Sequence, residues 1–312
     1  MKFQDHFGLE QNNMLNILVT GGSGFIGSHL VNKLIEDGHR VTVTATSGEN
    51  FNPRVHKTLF LGMTGIDEST LEAYDCLFHL AANNDTLCQD KESLMWANAI
   101  SPRKFFEKLQ YLGLCSKFIY ASSTAVYGNS TPPYIEDIDE NVNPINPYAE
   151  SKLALENEMK KFSTKDNQLI GLRFCNVFGP NEQHKGKRMS VISQMIHNDK
   201  NYFELFDPGT QRRDWVYVHD VVRACILSMN KLLATTGIYH EIFNVGSGQS
   251  TTFNRLAEII YGKQWKRYII YKKCNFSEAY QNYTECDLTK INQHLGYDPQ
   301  YTLQEAVKEY HD

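Results

Sequence analysis

A tyrosine and a lysine four residues apart are the side chains best suited to proton transfer in this sequence of 312 residues. Tyr148 and Lys152 form the pattern Tyr-x-x-x-Lys, which places both side chains on one face of a helix. An isolated phenol, with a pKa of about 10, is a poor base at neutral pH, and a neighbouring lysine cation favours its ionised form. Ser123 precedes this pair and can hydrogen-bond the same reacting oxygen. By itself the pattern also fits a solvated helix face.

Glycines at every third position form a second candidate site, in the segment TGGSGFIG. Gly21, Gly24 and Gly27 follow a strand-like apolar run and open a helix-like run, which is the context in which such glycines bind a dinucleotide. Gly21 permits a sharp turn, and Gly24 lets backbone N–H groups approach a pyrophosphate at the start of the helix. Gly27 permits the helix to pack closely on the sheet. The alternative is a tight strand–turn–helix without a ligand.

The end of the second strand indicates which dinucleotide is preferred. An acidic residue about 20 residues beyond the glycine loop usually binds a ribose 2′-hydroxyl. The segment TATSG has no acid, and the hydroxyls of Thr44, Thr46 and Ser47 can donate to a 2′-phosphate, which Arg54 can also reach. The sequence therefore favours NADP over NAD, although the same hydroxyls also fit an ordinary turn.

Strands and helices alternate along the first part of the chain. The predicted strands are Asn16–Thr20, Arg40–Ala45, Asp75–Leu80, Lys117–Ala121, Leu169–Val177, Trp215–Val218 and Ile242–Val245. The predicted helices are Ser28–Asp37, Ala97–Leu112, Tyr148–Phe162, Met189–His197 and Asp220–Met229, with Asn146 as the cap of the third. Such alternation predicts an α/β fold, a Rossmann doubly wound parallel sheet covered by helices on both faces.

The domain organisation follows from where this alternation stops. Residues 14–180 are predicted to form the dinucleotide-binding Rossmann domain, to which the chain returns near residues 215–246. Residues 181–312 are predicted to form mainly a smaller C-terminal lobe that binds the substrate. The ligand is then expected in the cleft between the two.

The composition excludes several classes of function. Hydrophobic residues make up 41% and charged residues 21% of the chain, which is a globular balance. The net charge is -5 and no run of four basic residues occurs, so no nucleic-acid partner is expected. No apolar stretch approaches the ~20 residues that span a bilayer, and the polar start Met1–Asn13 is not typical of a secretory signal. The seven cysteines form no C-x-x-C pair, so reduced thiols, no metal site and a cytoplasmic location are expected.

Taken together, six motifs resemble the extended short-chain dehydrogenases/reductases, in the group of nucleotide-sugar epimerases and dehydratases. They occur in order over about residues 15–250 and are TGGSGFIG, HLAA (79–82), YASSTAVYG (120–128), PYAESK (147–152), RFCNVFGP (173–180) and RRDWVYVHD (212–220). In that family a serine or threonine, a tyrosine and a lysine form the catalytic group, which implies this role for Ser123, Tyr148 and Lys152.

The resemblance also implies binding residues. The asparagine of NVFGP and the arginine of RDWV commonly contact the nucleotide diphosphate, and an arginine fork suits that group. The alternatives are a turn asparagine at Asn176 and an ion pair between Arg213 and Asp214. The expected substrate contacts are Ser123, Thr124, Asn176 and Arg213, and the expected cofactor contacts are Gly21, Gly24, Phe25, Ile26, Gly27, Thr44, Thr46, Ser47, Leu80, Ala81, Ala82, Asn98, Tyr148 and Lys152.

One further segment narrows the resemblance to a subgroup. Residues 179–190, GPNEQHKGKRMS, resemble the G-P-x-E-x-H-K-G-x-M-x-S segment of the ADP-glycero-manno-heptose 6-epimerases, with one extra residue before Met189. In those enzymes the lysine of HKG is placed as a second acid or base, which implies this catalytic role for Lys185. The alternative is that Lys185 and His184 lie on a solvated loop that binds phosphate.

The chain departs from the family pattern at two places. Met63 stands where the family often has an acid near the adenine, and the acid usual after the second strand is also absent. These two absences make the cofactor preference harder to predict than the fold. Thr124 and Ala125 follow Ser123, where the 4,6-dehydratases carry an adjacent Asp-Glu pair. Because dehydration needs a carboxylic acid to lose water, this departure argues against that reaction.

The sequence therefore predicts an NAD(P)-dependent nucleotide-sugar epimerase, with NADP or NAD as cofactor and a nucleotide-diphosphate sugar as substrate. Epimerisation at carbon 6 of a nucleotide heptose is the first expectation. The alternatives are a nucleotide-hexose 4-epimerase, a nucleotide-sugar ketoreductase or dehydrogenase, and a redox-silent dinucleotide-binding regulator. Related enzymes commonly dimerise through the helices that correspond to Ala97–Leu112 and Tyr148–Phe162, so a homodimer is expected, with a monomer as the alternative.

Overall fold

A seven-stranded parallel sheet forms the centre of the molecule. The computed structural model describes residues 14–45, 52–59, 65–164, 166–274 and 280–311. The predictions for Thr46, Ser47 and Met63 and for residues 1–13 lie outside this described part of the chain.

The described segments contain twelve strands and nine α-helices, together with short 3-10 turns. The strands are β1 (Asn16–Thr20), β2 (Arg40–Thr44), β3 (Lys57–Leu59), β4 (Cys76–His79), β5 (Lys117–Ser123), β6 (Gln168–Phe174), β7 (Asn176–Phe178), β8 (Phe203–Phe206), β9 (Arg212–Tyr217), β10 (Tyr239–Val245), β11 (Ser250–Thr252) and β12 (Ile269–Lys272). The helices are α1 (Phe25–Glu36), α2 (Lys91–Met95), α3 (Ser101–Tyr111), α4 (Pro147–Phe162), α5 (Val191–Ile196), α6 (Val218–Ala234), α7 (Phe253–Tyr261), α8 (Thr289–Leu295) and α9 (Leu303–His311). No helix in the described segments is long and apolar enough to cross a membrane.

The strands of the central sheet lie in the order β3-β2-β1-β4-β5-β6-β10, and every neighbouring pair is parallel. Thr20 at the end of β1 pairs with Thr44 on one side and with His79 on the other. The chain leaves β1 in one direction along the sheet and resumes at β4 in the other. A crevice therefore opens beyond the carboxyl ends of β1 and β4, where sheets of this kind bind their ligands.

The two faces of the sheet bury separate apolar cores. On β1, Ile17 and Val19 belong to the core that includes residues of α1 and α6, whereas Leu18 belongs to the core formed with α3 and α4. The same alternation continues on β5, where Ile119 and Phe118 face opposite cores. Helices thus cover both faces, which confirms the predicted α/β doubly wound fold.

The second part of the chain adds a three-stranded sheet, in the order β11-β9-β7, and a two-stranded sheet of β8 and β12. Phe178, Trp215 and Phe253 pack into a third apolar core in this region. The strand predicted near Trp215 therefore exists, but it lies in the three-stranded sheet. Among the described strands that follow β6, β10 alone returns to the central sheet, where its backbone pairs along its whole length with β6.

Two predicted elements are divided in the structure. The predicted strand Leu169–Val177 is split at Cys175, whose N–H donates to the Val245 carbonyl at 2.9 Å, so β6 stays with the central sheet and β7 pairs with β9. The predicted helix Ala97–Leu112 begins with a π-helical turn at Trp96–Ile100 and continues as α3. The split at Cys175 depends on partners distant in sequence, which local periodicity does not encode.

Helix α4 begins with the predicted cap. Asn146 has extended backbone angles, its side-chain oxygen accepts the N–H of Ala149 at 2.8 Å, and Pro147 occupies the first helical position. This cap fixes the first turn of the helix that carries Tyr148 and Lys152.

We expect Asn146→Ala to lower the free energy of unfolding by about 1 kcal/mol, because the substitution leaves the Ala149 N–H without its acceptor. Asn146→Asp is the matched control, since a carboxylate keeps the acceptor and suits a helix N-terminus. Denaturant unfolding followed by circular dichroism measures both variants. Equal losses in the two variants would contradict a capping role.

Candidate active site

The glycine loop after β1 makes a turn too tight for side chains. Gly21 has a φ of +70°, and a Cβ there would lie 2.7 Å from the backbone nitrogen of Ala81. A Cβ on Gly27 would overlap the carbonyl oxygen of Gly21. These contacts match the two roles predicted for the glycines, namely a sharp turn and close packing of the helix.

The segment that follows β4 lies directly against this turn. Leu80 donates its N–H to the carbonyl of Thr20 at 3.2 Å, and Ala81 donates its N–H to the Thr20 hydroxyl at 3.3 Å. On the other side, the N–H of Gly21 donates to the carbonyl of Thr44 at 3.1 Å. The structure therefore brings together three predicted cofactor segments at the ends of β1, β2 and β4, with Ala82 next along the chain.

Helix α1 presents its N-terminus to the crevice. Its cap residue is Gly24, its first residues are Phe25 and Ile26, and no side chain caps its first N–H groups. Uncapped N–H groups and the helix dipole favour an anion at this position. A cavity of about 640 Å³ adjoins the loop, lined by residues that include Ser23 and Arg54. The glycine loop and the uncapped N-terminus of α1 together form an anion cradle that fits the pyrophosphate of a dinucleotide.

Ser123, Tyr148 and Lys152 meet at the carboxyl end of β5. Ser123 is the last residue of this strand, and its hydroxyl accepts the N–H of Ala125 at 3.1 Å. The same side chain lies near enough to the Tyr148 phenol to lower its pKa. Lys152 lies one turn further along α4, is 2% exposed, and donates from Nζ to the carbonyl of Ala121 at 3.0 Å. The three predicted catalytic side chains thus share one end of the sheet with the glycine loop.

Burial dominates the ionisation of this pair. It raises the pKa of the Tyr148 phenol, and the hydrogen bond with Ser123 opposes that rise only in part. Burial also lowers the pKa of Lys152 to about 8, while the Glu156 carboxylate acts in the opposite direction. That the lysine cation and a bound oxidised cofactor together favour the phenolate stays a prediction. In the chain alone, burial is the dominant influence on the pKa of the phenol.

Two predicted binding residues have their side chains engaged inside the protein. The Thr124 hydroxyl donates to the carbonyl of Phe174 at 3.3 Å, so it faces β6. The amide nitrogen of Asn98 donates to the Asn83 carbonyl at 2.9 Å and to the Ser151 hydroxyl at 3.0 Å, and its oxygen accepts the Asn83 N–H at 2.8 Å. Asn98 therefore joins the segment after β4 to α4, which positions both.

Lys185 is held beside the start of α1. Its Nζ donates to the Glu182 carboxylate at 3.1 Å and lies 4.9 Å from the ring centre of Phe25. Glu182 is fully buried and also accepts hydrogen bonds from Gly179, Ser190 and Ser193. Through these hydrogen bonds the Glu182 carboxylate holds the loop after β7 in one conformation, and it forms an ion pair with the Lys185 ammonium. A second acid–base role for Lys185 stays a prediction.

Arg213 is a buried cation that has no ion-pair partner among the residues described. It is 7% exposed, its guanidinium lies over the rings of Phe253 and Tyr280 at 5.6 and 4.9 Å, and burial lowers its pKa. Asp214 is not its partner, since this carboxylate accepts hydrogen bonds from three later residues, Ser247, Gly248 and Cys286. A buried guanidinium with unused donors fits a diphosphate.

Asn176 lies next to this arginine site. Its amide nitrogen donates to the Asp214 carbonyl at 3.3 Å and to the Thr284 hydroxyl at 3.2 Å, which leaves the amide oxygen for a ligand. Gln281 crosses to the catalytic side, where its amide donates to the Gly128 carbonyl at 2.7 Å. Sequence reasoning missed Thr284 and Gln281, because the chain beyond Thr251 carries no readable motif.

A sequence model of the NAD-dependent epimerase/dehydratase family matches residues 17–246 of this chain. The match spans well over half of the sequence and includes the glycine loop, the serine at the end of β5 and the Tyr-x-x-x-Lys pair. The chain belongs to the NAD-dependent epimerase/dehydratase family.

Named relatives and solved structures agree with this membership. An ADP-L-glycero-D-manno-heptose-6-epimerase of Alkalilimnicola ehrlichii is 33% identical over 298 residues, which cover 88% of this chain and 90% of the relative. A putative UDP-glucose 4-epimerase of Methanocaldococcus jannaschii is 31% identical over 312 residues, which cover 94% and 96%. The crystal structure of the UDP-glucose 4-epimerase of Thermotoga maritima with UDP-glucose superposes with a TM-score of 0.81 at 30% identity, covering 95% and 97%. The predicted resemblance to nucleotide-sugar epimerases is confirmed.

His79 is a buried histidine between β4 and the glycine loop. It is 1% exposed, its Nδ1 lies 2.7 Å from the Thr20 hydroxyl, and within the described segments its Nε2 has no hydrogen-bond partner. Burial, assisted by the Lys152 cation, lowers the pKa of His79 to about 3. The ring is therefore neutral at every pH at which the protein is expected to work.

We expect this histidine to make the protein less stable in mild acid. Because the pKa of a histidine is about 6.5 in an unfolded chain, the unfolded state binds the proton first as the pH falls. The contribution of His79 is therefore complete above pH ~6.5 and is lost below it, by about 1.4 kcal/mol per pH unit. Denaturant unfolding between pH 7 and pH 5 measures this slope.

The comparison uses two variants. His79→Asn is expected to flatten the slope, while His294→Asn, which removes an exposed histidine, is expected to leave it unchanged. A His79→Asn protein with the slope of the parent would contradict the assignment.

Proposed function

We propose that this chain is an NAD(P)-dependent nucleotide-sugar epimerase that oxidises and then re-reduces one carbinol carbon of its substrate. The observation that carries the proposal is the position of Ser123, Tyr148 and Lys152 at the same sheet edge as the glycine loop. Membership of the family and the names of the relatives support the same reaction class.

The three catalytic side chains have separate tasks in this proposal. The bound oxidised cofactor supplies a hydride acceptor and a positive charge. Tyr148 takes the proton of the reacting sugar hydroxyl, and Ser123 hydrogen-bonds the same oxygen. Lys152 holds the cofactor ribose, and its cation favours the phenolate. Because an ordinary phenol is already protonated at neutral pH and burial raises the pKa of Tyr148 further, additional positive charge in the crevice favours release of its proton. On the return step Tyr148 gives the proton back.

The substrate proposed is a nucleotide-diphosphate heptose that reacts at carbon 6. The diphosphate would lie on the buried guanidinium of Arg213 and the amide oxygen of Asn176. The heptose is favoured by the HKG segment around Lys185 and by the relative from Alkalilimnicola ehrlichii. Epimerisation at carbon 4 of a nucleotide hexose is the second candidate, and it is favoured by the relative from Methanocaldococcus jannaschii.

NADP is proposed as the cofactor over NAD. Arg54 lines the cavity beside the glycine loop together with Asn32 and Ser28, and the amides of Asn32 and Asn52 are joined at 2.9 Å. An arginine at this point suits a 2′-phosphate, while an acid would repel it. The proposal also includes a homodimer through α3, with the turn before it, and α4. Trp96 and Tyr111, at the two ends of the first of these segments, are exposed. Light scattering measures the mass of the assembly.

The first test is whether the purified chain isomerises nucleotide sugars without added cofactor. Mass spectrometry of small molecules released by denaturation is expected to find NADP. Incubation with ADP-glycero-manno-heptose and UDP-glucose is expected to give an epimer of unchanged mass from the heptose. Tyr148→Phe is expected to keep the cofactor but to lower kcat by about a thousand-fold, because it removes the proton acceptor.

A different result would identify a different enzyme. A product that is heavier or lighter by two hydrogens, formed only when external cofactor is supplied, would make the chain a ketoreductase or dehydrogenase. Turnover of UDP-glucose alone would favour the 4-epimerase.

We expect Arg213→Met to raise KM for the nucleotide sugar by about 50-fold while kcat changes little, because charge-assisted hydrogen bonds to the diphosphate are lost in both ground and transition states. Arg212→Met is the matched control, since Arg212 is the exposed neighbour on the same strand. Steady-state kinetics of the two variants decides the point. An unchanged KM in Arg213→Met would place the diphosphate elsewhere.

A further inference from the structure

A buried ion pair lies directly behind the face of α4 that carries Tyr148 and Lys152. Glu156 follows Lys152 by one helical turn, and its side chain is 3% exposed. Arg173 of β6 donates to both of its carboxylate oxygens, from Nε at 2.9 Å and from Nη2 at 2.7 Å. The Ser122 hydroxyl at the end of β5 also donates to this carboxylate. Glu156 therefore ties α4 to two strands.

Stability alone does not account for this pair. Moving two charges out of water is costly, and apolar residues of similar volume are often as stable in such positions. The pair is instead fully connected, because Arg173 also donates to the Tyr127 hydroxyl at 2.8 Å, which donates to the Asn244 side chain at 2.8 Å. A satisfied buried network fixes both the geometry and the electric field around it.

The charge of Glu156 acts on Lys152. Burial lowers the pKa of Lys152 to about 8, and Glu156 is the carboxylate that raises it. The titratable or charged side chains nearest this part of α4 include His79, Lys91, Arg103, Tyr120, Tyr127, Tyr148, Glu150, Glu158, Arg173 and His240, and the lysines of α3, β5 and the end of α4 lie further along those elements. Glu150 and Glu158 are ion-paired with Lys91 and Arg103 at the surface, so Glu156 supplies the negative charge inside.

We propose that Glu156 is a positioning residue whose carboxylate keeps Lys152 in its cationic form and fixes α4 against β5 and β6, so that Tyr148 can release its proton. The inference rests on the proposed function, which assigns Tyr148 as the base. Glu156 acts through Lys152 and carries no proton itself.

The direct test follows the ionisation of Lys152 by NMR in the full chain labelled at the lysine ε-carbons. The Lys152 signal is identified by its loss in Lys152→Arg, and it is expected to titrate near pH 8 in the parent. Glu156→Gln removes the charge but keeps an oxygen for Ser122. The midpoint is then expected to fall by about one pH unit, because the opposite charge beside the ammonium is lost.

A second readout is the pH profile of turnover. If a cationic Lys152 is required, the alkaline limb of kcat in Glu156→Gln moves to lower pH by the same amount. A shift of about one unit lowers kcat about five-fold at pH 8 and leaves KM for the sugar near its parent value. A merely structural role would lower stability without moving this limb.

Three further variants separate charge from packing. Glu158→Gln removes a surface carboxylate from the same helix and is expected to leave both readouts unchanged. Glu156→Asp is expected to restore most of the Lys152 midpoint. If Glu156→Gln does not fold, the double variant Glu156→Leu with Arg173→Met replaces the whole pair by apolar side chains. It is expected to show a lowered midpoint, by less than Glu156→Gln, because the Arg173 cation is removed with the carboxylate.

The outcomes distinguish the two proposals. An unchanged Lys152 midpoint in folded Glu156→Gln or in the double variant overturns the role of Glu156, whatever reaction the chain catalyses. Absence of epimerase activity in the parent overturns the proposed function, while the NMR titration still decides whether Glu156 governs Lys152.

Discussion

The approach of the Gly21 turn to the backbone of Ala81 is the contact on which the ligand-binding edge depends. It draws the ends of β1 and β4 together, and the Thr20 side chain then serves both Ala81 and His79. Helix α1 begins directly after the turn, so its first N–H groups point into the crevice beyond the carboxyl ends of the strands. Because all strands of the central sheet are parallel, the same edge also carries the end of β5 with Ser123. A wider turn would separate the anion cradle from the catalytic serine.

The buried and half-buried cations described above fall into two groups. Behind the crevice, opposite charges are paired, as in Arg173 with Glu156 and Lys185 with Glu182. Facing the crevice, Lys152 and Arg213 are cations that no carboxylate contacts in the described segments. Burying a charge without a partner is costly. The nearby Glu156 carboxylate offsets part of this cost for Lys152, whereas Arg213 has no such carboxylate among the described residues and requires an anionic ligand. A ligand that brings phosphate groups meets that requirement.

The sequence anticipates those parts of the structure that neighbouring residues determine. The glycine turn, the alternation of strands and helices and the Asn146 cap each depend on a few adjacent positions, and each was predictable. The direction of a side chain depends instead on what the fold places opposite it. Thr124 turns toward β6 and Asn98 toward Asn83, and no local pattern specifies either. The hydrogen bond between Asn176 and Thr284 spans 108 residues, which is why the lobe beyond Thr251 could not be read.

Glu156 lies between these two kinds of feature, those that neighbouring residues determine and those that the fold determines. It continues the spacing of Tyr148 and Lys152 by one more helical turn. The spacing was visible, but its meaning required the partner Arg173, which only the sheet brings near. Burial, which surrounds the Glu156–Arg173 pair, also raises the pKa of the Tyr148 phenol. A site removed from water suppresses ionisation while it is empty of charge. For the same reason, any charge that enters it acts with little screening. Desolvation therefore makes ionisation of the phenol harder in the chain alone and strengthens the effect of any charged ligand that binds beside it.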